Sequence, residues 1–274
     1  TVGLKANLLD NNLNINADFT FMKRNNKQQT QLYPVAYSNS PGVIETAGNN
    51  YLEQYRVDEQ YYSNNVYVDY KKEINKHYIK GMIGYNVEYS STRNNRLRRD
   101  GLLNPELPDF SLMDGINYTT TGGGRDWGIF GAFYRFNYIY DNRYLFELNG
   151  RYDGSSRFPA DQRFGFFPSA SAGWRVSEEA FMKPLKNWID NFKVRASYGS
   201  LANGDIKDYL FLTTMGTSKS GMILDGVFPS QIGQPDVLPT KLTWETSTTL
   251  DLGVDLNLFK NRFTFVFDWY SRQT

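Results

Sequence analysis

Few residues of this chain have the types and spacing that catalysis requires. The segment 153–158, Asp-Gly-Ser-Ser-Arg-Phe, places two serines between an aspartate and an arginine. Either serine could be considered as a nucleophile. A nucleophilic serine also needs a base, and the chain has one histidine, His77, and no cysteine. We favour a structural interpretation, in which Asp153-Gly154 supplies the positive φ of a strand-to-loop turn and Arg157 pairs with its neighbours.

The composition also limits metal and cofactor chemistry. One histidine and no cysteine exclude a zinc ribbon, an iron–sulfur site, a cysteine nucleophile and any mechanism that needs two histidines. The carboxylates do not follow a calcium-loop spacing: Asp236, Glu245, Asp251, Asp255. Asp251 and Asp255 lie ~13 Å apart along a strand, too far for a general acid/base pair, and we expect them to meet basic groups. We predict no catalytic residue, cofactor or metal site, and expect His77 to be interfacial or solvated.

Two polar segments could bind a ligand. The glycine run Gly122–Gly124 could hold phosphate if a helix followed, but a strand pattern follows, so we expect a flexible outer loop. Arg93, Arg96, Arg98 and Arg99 could bind an anionic substrate or the phosphate of lipopolysaccharide. We favour a solvated loop without a ligand for this cluster.

Charge and hydropathy exclude two classes of protein. The chain has 30 basic and 29 acidic residues, and the net charge of +1 gives no argument for nucleic-acid binding. The mean hydropathy is −0.56, and no run approaches the ~20 apolar residues of a membrane helix. A membrane β-barrel remains possible, because its strands alternate and average out as polar.

Alternation with a period of two dominates the sequence and predicts about ten strands. Several runs last ten residues or more, which suits the ~9–11 residues of a membrane strand better than the ~5–6 of a soluble sheet. The apolar positions, expected to face lipid, include Phe130, Tyr134, Phe136, Phe146, Leu148, Leu250, Leu252, Phe265 and Phe267. The charged positions, expected on the opposite, lumen side, include Arg135, Glu147, Arg151, Lys193, Arg195, Glu245 and Asp251.

Short and long connections alternate along the chain. Tight turns are predicted at 9–12, 73–76, 141–143 and 259–261, and long polar loops at 24–61, 92–126, 154–163 and 200–242. The segment 178–191 is of medium length and hints at a short helix. Outer-membrane barrels place their short turns on one rim and their long loops on the other, and a soluble sandwich has no reason to sort them. The loops are rich in Asn, Gln, Tyr, Gly and Pro, which suits sugars, peptide backbones, a protein partner or a plain loop equally.

Four blocks of sequence resemble a known family. They are Asn149–Phe158, Phe164–Glu179, Leu242–Gly253 and Phe263–Tyr270. In this order they resemble the barrel of the SusC/RagA family, the TonB-dependent outer-membrane transporters of Bacteroidetes. The resemblance covers roughly residues 149–270, and the earlier part agrees in pattern only.

The resemblance implies a fold, a place and partners. Residues 1–274 would be part of one TonB-dependent receptor β-barrel domain: an all-β, antiparallel transmembrane segment of about ten strands from a 22-stranded barrel, whose plug domain is absent from this chain. The strands at 1–8 and 262–271 should then not pair with each other. The family resides in the bacterial outer membrane, in contact with its lipid. It imports oligosaccharides or peptides with TonB and a SusD-like surface lipoprotein.

Two alternatives stay open at this stage. One is a small stand-alone outer-membrane barrel with a structural or adhesive role. The other is a soluble carbohydrate-binding β-sandwich. A ladder between the first and last strands would favour the small barrel, and a second packed sheet would favour the sandwich.

Overall fold

The structure, a computed structural model, describes all residues 1–274 and is almost entirely β. Its main sheet has ten antiparallel strands in the order β1-β2-β5-β6-β7-β8-β9-β10-β13-β14, and β3-β4 and β11-β12 form two small hairpins. The strands are β1 Val2–Leu8, β2 Leu13–Leu32, β3 Val35–Ser40, β4 Val43–Ala47, β5 Tyr51–Ile74, β6 His77–Asp100, β7 Tyr118–Tyr140, β8 Tyr144–Ser155, β9 Phe164–Arg175, β10 Ile189–Asn203, β11 Thr217–Lys219, β12 Ser230–Ile232, β13 Glu245–Leu258 and β14 Phe263–Gln273. Short 3₁₀ turns occupy Phe110–Leu112, Val176–Glu178 and Ala180–Leu185. None of its helical segments is long and apolar enough to cross a bilayer.

The residues form two compact units. Unit 1 comprises Thr1–Phe19, Ser63–Glu88 and Trp127–Thr274, and unit 2 comprises Thr20–Tyr62 and Tyr89–Asp126. Four strands, β2, β5, β6 and β7, contribute residues to both units.

The apolar face of the sheet in unit 1 has no second layer of protein on it. All nine apolar residues predicted to face lipid are exposed, with relative exposures from 38% to 54%. The accessible surface of the chain is 19184 Å², whereas a compact water-soluble protein of its 31.6 kDa mass exposes about 12,000 Å². The predicted all-β antiparallel fold is confirmed, and the β-sandwich alternative is wrong because no second sheet packs on this face.

The two edge strands remain separate. β1 and β14 stand at opposite ends of the strand order, and β1 pairs only with β2, from Val2 opposite Phe19 to Leu8 opposite Leu13. The prediction that they do not pair with each other is therefore confirmed. The ladder that would close a ten-stranded barrel is not present.

Unit 2 corrects two predicted loops. Much of 24–61 and 92–126 is strand, because β2 runs on to Leu32, β5 begins at Tyr51 and β6 continues to Asp100. The glycine run Gly122–Gly124 lies inside β7, so the expected flexible loop there is also wrong. β5 and β6 each have 24 residues, about twice what a bilayer requires.

The connection after β6 is also ordered by its own small core. Leu52, Leu102 and Met113 are buried together against Phe110. The Asn50 side chain braces this core, because its Oδ1 accepts from the Leu102 N–H at 2.8 Å and its Nδ2 donates to the Leu102 carbonyl at 3.1 Å. This part of unit 2 is a packed element rather than a mobile loop.

The tight turns of unit 1 meet at one end of its strands. Backbone hydrogen bonds run from Lys71 to Asn12, from Asp141 to Lys76 and from Arg175 to Arg143, over 2.7–2.8 Å. Positive φ values at Asp141 and Asn142 suit these residue types, which tolerate the left-handed region at low cost. The predicted turns are therefore confirmed, and they share one rim, which we call the turn rim.

The short helix that the sequence hints at in 178–191 is present only as 3₁₀ turns and not as an α-helix. Residues 176–188, here called the rim segment, form two short 3₁₀ turns, and β10 begins at Ile189. Pro184 lies inside the second turn and has no N–H to donate, which disfavours a regular α-helix. The segment is nevertheless fixed, because Val176 and Met182 are buried.

Glu179 ties the rim segment to the sheet. Its carboxylate accepts from the Tyr144 hydroxyl at 2.7 Å and the Trp174 indole N–H at 3.1 Å, and pairs with Arg143 at 3.3 Å. These hydrogen bonds, led by that of Tyr144, lower the pKa of Glu179 from its ordinary 4.5. A carboxylate with a lowered folded-state pKa stabilises the fold above its unfolded value, and that contribution is lost as the pH falls through the folded value.

We expect Glu179→Gln to lower the melting temperature by a few degrees at about pH 7, and the difference from the parent protein to be smaller at about pH 3. The measurement is thermal unfolding of the full-length protein in detergent at both pH values. Glu178→Gln is the matched control, since Glu178 is the adjacent exposed glutamate. An E179Q deficit of equal size at both pH values would contradict the assignment.

Candidate functional surface on the polar face of the sheet

The predicted charged residues lie together on the polar face of unit 1. Ladder partners place side chains in rows across the strands, and one row crosses six strands: Asn137, Glu147, Ser171, Ser197, Asp251 and Tyr270. Polar contacts follow the rows and link them. Asn149 accepts from Arg135 Nε at 2.7 Å and donates to Glu147 at 2.7 Å, and Asn203 donates to Glu245 at 3.5 Å. Sequence alternation located this face correctly.

Arg195 on β10 is the centre of the strongest cluster on this face. Its Nε lies 3.3 Å from Asp255 Oδ1, its Nη1 lies 3.4 Å from Asp251 Oδ1, and its Nη2 contacts Asp268. One guanidinium thus serves three carboxylates from two strands, and its five donors make this possible. The sequence predicted that Asp251 and Asp255 would meet a basic group, and Arg195 is that group.

A glycine opens the route by which Arg195 reaches Asp268. Gly253 on β13 lies between them in the ladder, as the partner of both residues. A Cβ at Gly253 would stand 2.4 Å from Arg195 Cζ and 2.7 Å from Asp268 Oδ1. A side chain here would displace the end of the Arg195 side chain, so this position favours glycine because of the close approach and not because of its φ.

An arginine also lies over a glycine at two other places, although no strand separates the arginine from its carboxylate partner there. In unit 1 a Cβ at Gly131 would stand 2.5 Å from Arg151 Nη2, where Arg151 pairs with Asp153 at 2.7 Å. In unit 2 a Cβ at Gly124 would stand 2.7 Å from Arg93 Cδ. Arg93 donates two hydrogen bonds to the Asp126 carboxylate, at 2.7 and 2.8 Å. We call this arrangement an arginine-over-glycine pair. Sequence analysis missed it, because it depends on strand register.

A shallow cavity of about 240 Å³ lies beside the Arg195 cluster. Its wall combines charged and polar groups with a few apolar ones, and includes Asn137, Glu147, Ser171, Lys193, Arg195 and Asp251. Groups of this kind bind by hydrogen bonds and ion pairs. Because both signs of charge are present, the surface suits polar ligands or another polar protein surface rather than a single anion.

The segment 153–158 has a structural role, as favoured, although one detail differs. Gly154 does not have a positive φ; it is a strand residue whose Cβ would stand 2.3 Å from the Phe164 ring. Ser155 is 1% exposed and Ser156 Oγ accepts from the Gly128 N–H at 2.9 Å.

The lone histidine does not meet these serines. His77 Nδ1 lies 2.8 Å from the Tyr138 hydroxyl, at the turn rim, while Ser155 pairs with Ile129 in the middle of β7. Nine residues of strand separate Ile129 from Tyr138, which corresponds to about 30 Å. The prediction that His77 is an exposed rim residue agrees with its position.

Phe158 and Arg157 fasten two loops together. The Phe158 ring is fully buried and lies 5.2 Å from the ring of Trp244, whose indole N–H donates to the Arg163 carbonyl at 3.0 Å. Arg157 binds Asp208 at 2.8 Å and Asp205 at 2.7 Å. The connection after β8 and the long connection after β10 are thereby joined. Trp244 continues the alternation of Thr246, Thr248 and Leu250, which predicts a strand position for it, but β13 begins one residue later.

The remaining candidates are engaged in local contacts. In unit 2, Arg96 pairs with Glu53 at 3.0 Å, Arg98 lies 3.8 Å above the Tyr51 ring, and Arg99 donates to the Gly115 carbonyl at 3.1 Å. With Arg93 on Asp126, all four arginines of the basic cluster contact groups of their own unit. In unit 1, Asp236 accepts from Thr214 Oγ1 at 2.5 Å within the long connection after β10.

We expect Phe158→Ala to cost about 3 kcal/mol at its site, since it leaves a cavity under Trp244. Limited proteolysis of the full-length protein in detergent should then cleave the connections 156–163 and 204–244 faster than in the parent. Val237→Ala, in the same connection but 97% exposed, is the control and should leave cleavage unchanged. Equal cleavage of F158A and parent would refute the fastening role.

We expect Gly253→Ala to destabilise the protein by about 1–3 kcal/mol, because it breaks charged hydrogen bonds of Arg195. Gly173→Ala is the matched control, since a Cβ there meets the flexible end of Lys193 at 3.2 Å and makes ordinary contacts of 3.6 Å with Leu145. Thermal unfolding in detergent distinguishes them: a lower melting temperature for G253A and little change for G173A. Equal effects of the two variants would mean that Gly253 is not needed to make room for the Arg195 side chain.

Known proteins share this architecture. The model of the family described as TonB dependent receptor-like, beta-barrel matches residues 1–274. The chain is 32% identical to the TonB-dependent receptor SusC of Bacteroides thetaiotaomicron over 83% of its length and 23% of SusC. It is also 32% identical to a TonB-dependent receptor of Formosa agariphila, over 78% of this chain and 20% of that protein.

Structural similarity extends over nearly the whole chain. A structure of the RagAB peptide transporter superposes with a TM-score of 0.79 at 19% identity, over 98% of this chain and 29% of that one. The chain spans about a quarter or less of the length of the curated relatives it matches. The family match along every residue, together with the ten-stranded antiparallel sheet, places this chain in the TonB-dependent receptor β-barrel family.

Proposed function

We propose that this chain is part of the barrel wall of an outer-membrane importer of the SusC type. In this proposal the apolar face contacts outer-membrane lipid and the polar face lines the lumen, where a plug from the rest of the full-length protein would meet it. Transport would be driven through TonB, and a SusD-like surface lipoprotein would close over the outer loops. The role of this chain is binding and gating, without bond-making chemistry.

The observation that carries the proposal is the exposed apolar face. Nine large apolar side chains from β7, β8, β13 and β14 lie open on one face, and the charged residues of the same strands lie on the other. A charge on the lipid face costs roughly 2–4 kcal/mol at the bilayer midplane, so this separation is what a bilayer selects. In water, an apolar face of this extent would cause aggregation.

The polar face supports a passage for hydrophilic solutes. Arginines and carboxylates are already paired there, as Arg195 is with Asp251 and Asp255, so no large field of one sign would trap a charged solute. Short residues such as Ser171 and Ser197 leave room beside them.

The substrate class is proposed as oligosaccharides or peptides. SusC is 32% identical to this chain, and RagAB, whose fold it shares, is named a peptide transporter. The long connections combine amide side chains with aromatic rings, which can bind either class. The two classes are therefore the two arms of the test.

The test is uptake by cells that lack the full-length gene. We expect the deletion strain to lose growth on one substrate class, oligosaccharides or oligopeptides, and to regain it when the gene is restored. Uptake of the labelled substrate should stop when TonB is deleted or a protonophore is added. The V237A gene is the control and should restore growth fully.

Two results would overturn the proposal. One is undiminished uptake of every oligosaccharide and oligopeptide by the deletion strain. The other is uptake through the protein that does not depend on TonB. Affinity purification of the tagged full-length protein tests the partner: a surface lipoprotein should co-purify in a 1:1 ratio, and its absence would refute the lid.

A further inference from the structure

We propose that the rim segment, residues 176–188, is a membrane-surface anchor that binds the phospholipid headgroup layer at the turn rim. This inference rests on the proposed function, because it requires the apolar face to be in a bilayer. It adds that one connection, longer than the others at this rim, is built to lie in the interfacial layer.

The contacts of Glu179 place the segment on the lipid side of the sheet. Tyr144 and Trp174 are ladder partners on β8 and β9, and both belong to the apolar face. Both donate a hydrogen bond to the Glu179 carboxylate, at 2.7 and 3.1 Å. The chain therefore turns at the end of β9 towards the apolar face and not towards the polar one.

Apolar side chains of the segment are open to their surroundings. Phe181 is 62% exposed, Leu185 47% and Trp188 63%, although the segment itself is held in place by the buried Met182. The Trp188 ring lies 5.9 Å from the Phe259 ring and is tilted by 56° to it, so the neighbouring turn adds a further ring. Rings and aliphatic chains held at a membrane-facing rim are typical of residues that insert into the interface.

The charges of the segment fit an anionic lipid surface. Lys183 and Lys186 are exposed and form no ion pair with any carboxylate of the chain. Two of the three nearby carboxylates have their own donors, since Glu179 pairs with Arg143 and Asp190 accepts from the Asn261 N–H at 2.9 Å, and the third, Glu178, is exposed. Lysines interleaved with exposed apolar residues are the pattern of a segment lying on phospholipid, with the ammonium groups at the phosphates.

A consequence for the sheet follows from this placement. The segment is fixed at both ends, by Glu179 on β8 and β9 and by the backbone bond from Phe259 to Trp188 at 2.9 Å. An anchor so attached would set the depth of these strands in the bilayer. Its occupant is the phospholipid surface itself, and protein covering the segment is the outcome that would contradict this.

The test is a fluorescent label on the full-length protein in nanodiscs, with any other cysteines first replaced by serine. L185C carries the label in the rim segment. F265C, on the apolar face of β14, is the lipid control, and V237C, 97% exposed in a long connection, is the water control. Quenching is measured with iodide from water and with phospholipid brominated near the headgroup. Retained heat-modifiability on gels verifies folding, and W188C serves as a second position.

We expect the L185C label to be quenched by the brominated lipid and at least about threefold less by iodide than the V237C label. In nanodiscs of anionic lipid, K183Q/K186Q should reduce this protection. An L185C label that iodide reaches as freely as V237C, while F265C stays protected, would overturn the anchor and leave the proposed function standing. Protection from both quenchers would mean that protein covers the segment, and it would also overturn the anchor. Free access of iodide to F265C would refute the membrane placement itself.

Discussion

In a sheet whose two faces meet different solvents, apolar and polar residues must alternate along every strand, and this constraint governs the rest of the structure. Each strand residue points to one face or the other, so a shift of one residue would exchange all apolar and charged side chains. The alternation therefore fixes register as well as face. It also explains why so little of unit 1 is buried in the usual sense: the protein itself buries only a few side chains, such as Phe158, and the strands leave their apolar residues exposed on one face.

The charged face is organised by register rather than by proximity in sequence. Arg195 and Asp268 are 73 positions apart and are separated by an entire strand, yet they meet because the intervening position is Gly253. A long cation, a neighbouring backbone without a side chain and a carboxylate beyond it form a unit that a sheet can repeat. At Gly131 and Gly124 only part of this unit recurs: an arginine lies over a glycine, but its carboxylate partner is on the arginine's own strand, as for Arg151 and Asp153, or on the adjacent strand, as for Arg93 and Asp126.

Sequence could predict the parts of the fold that face two solvents. The number of strands, the tight turns, the two faces and the structural role of the segment 153–158 all follow from alternation and turn chemistry. The extensions of β5 and β6 could not be found in this way, because with polar residues on both faces, as in Glu53–Gln60, the period of two disappears. The prediction for the rim segment differs from the structure for another reason. The spacing of its apolar residues resembles that of a helix, but Pro184 and the short span allow only 3₁₀ turns.

The charged surface was predictable in composition but not in detail. Which carboxylate meets Arg195 depends on the ladder, and the ladder cannot be read from one strand alone. Trp244 shows that the pattern of a single strand does not reveal tertiary contacts. Its alternation with Thr246 predicts a strand position, whereas its ring packs on Phe158 in a loop.

The arginine-over-glycine pairs impose an order on how this barrel can change during evolution. At Gly253 a side chain would force the end of the Arg195 side chain to move, whereas an arginine can be lost while the glycine stays. The less costly order of change therefore begins at the arginine and reaches the glycine afterwards. Substitutions at the two positions are thus coupled, because the cost of each depends on the residue at the other position.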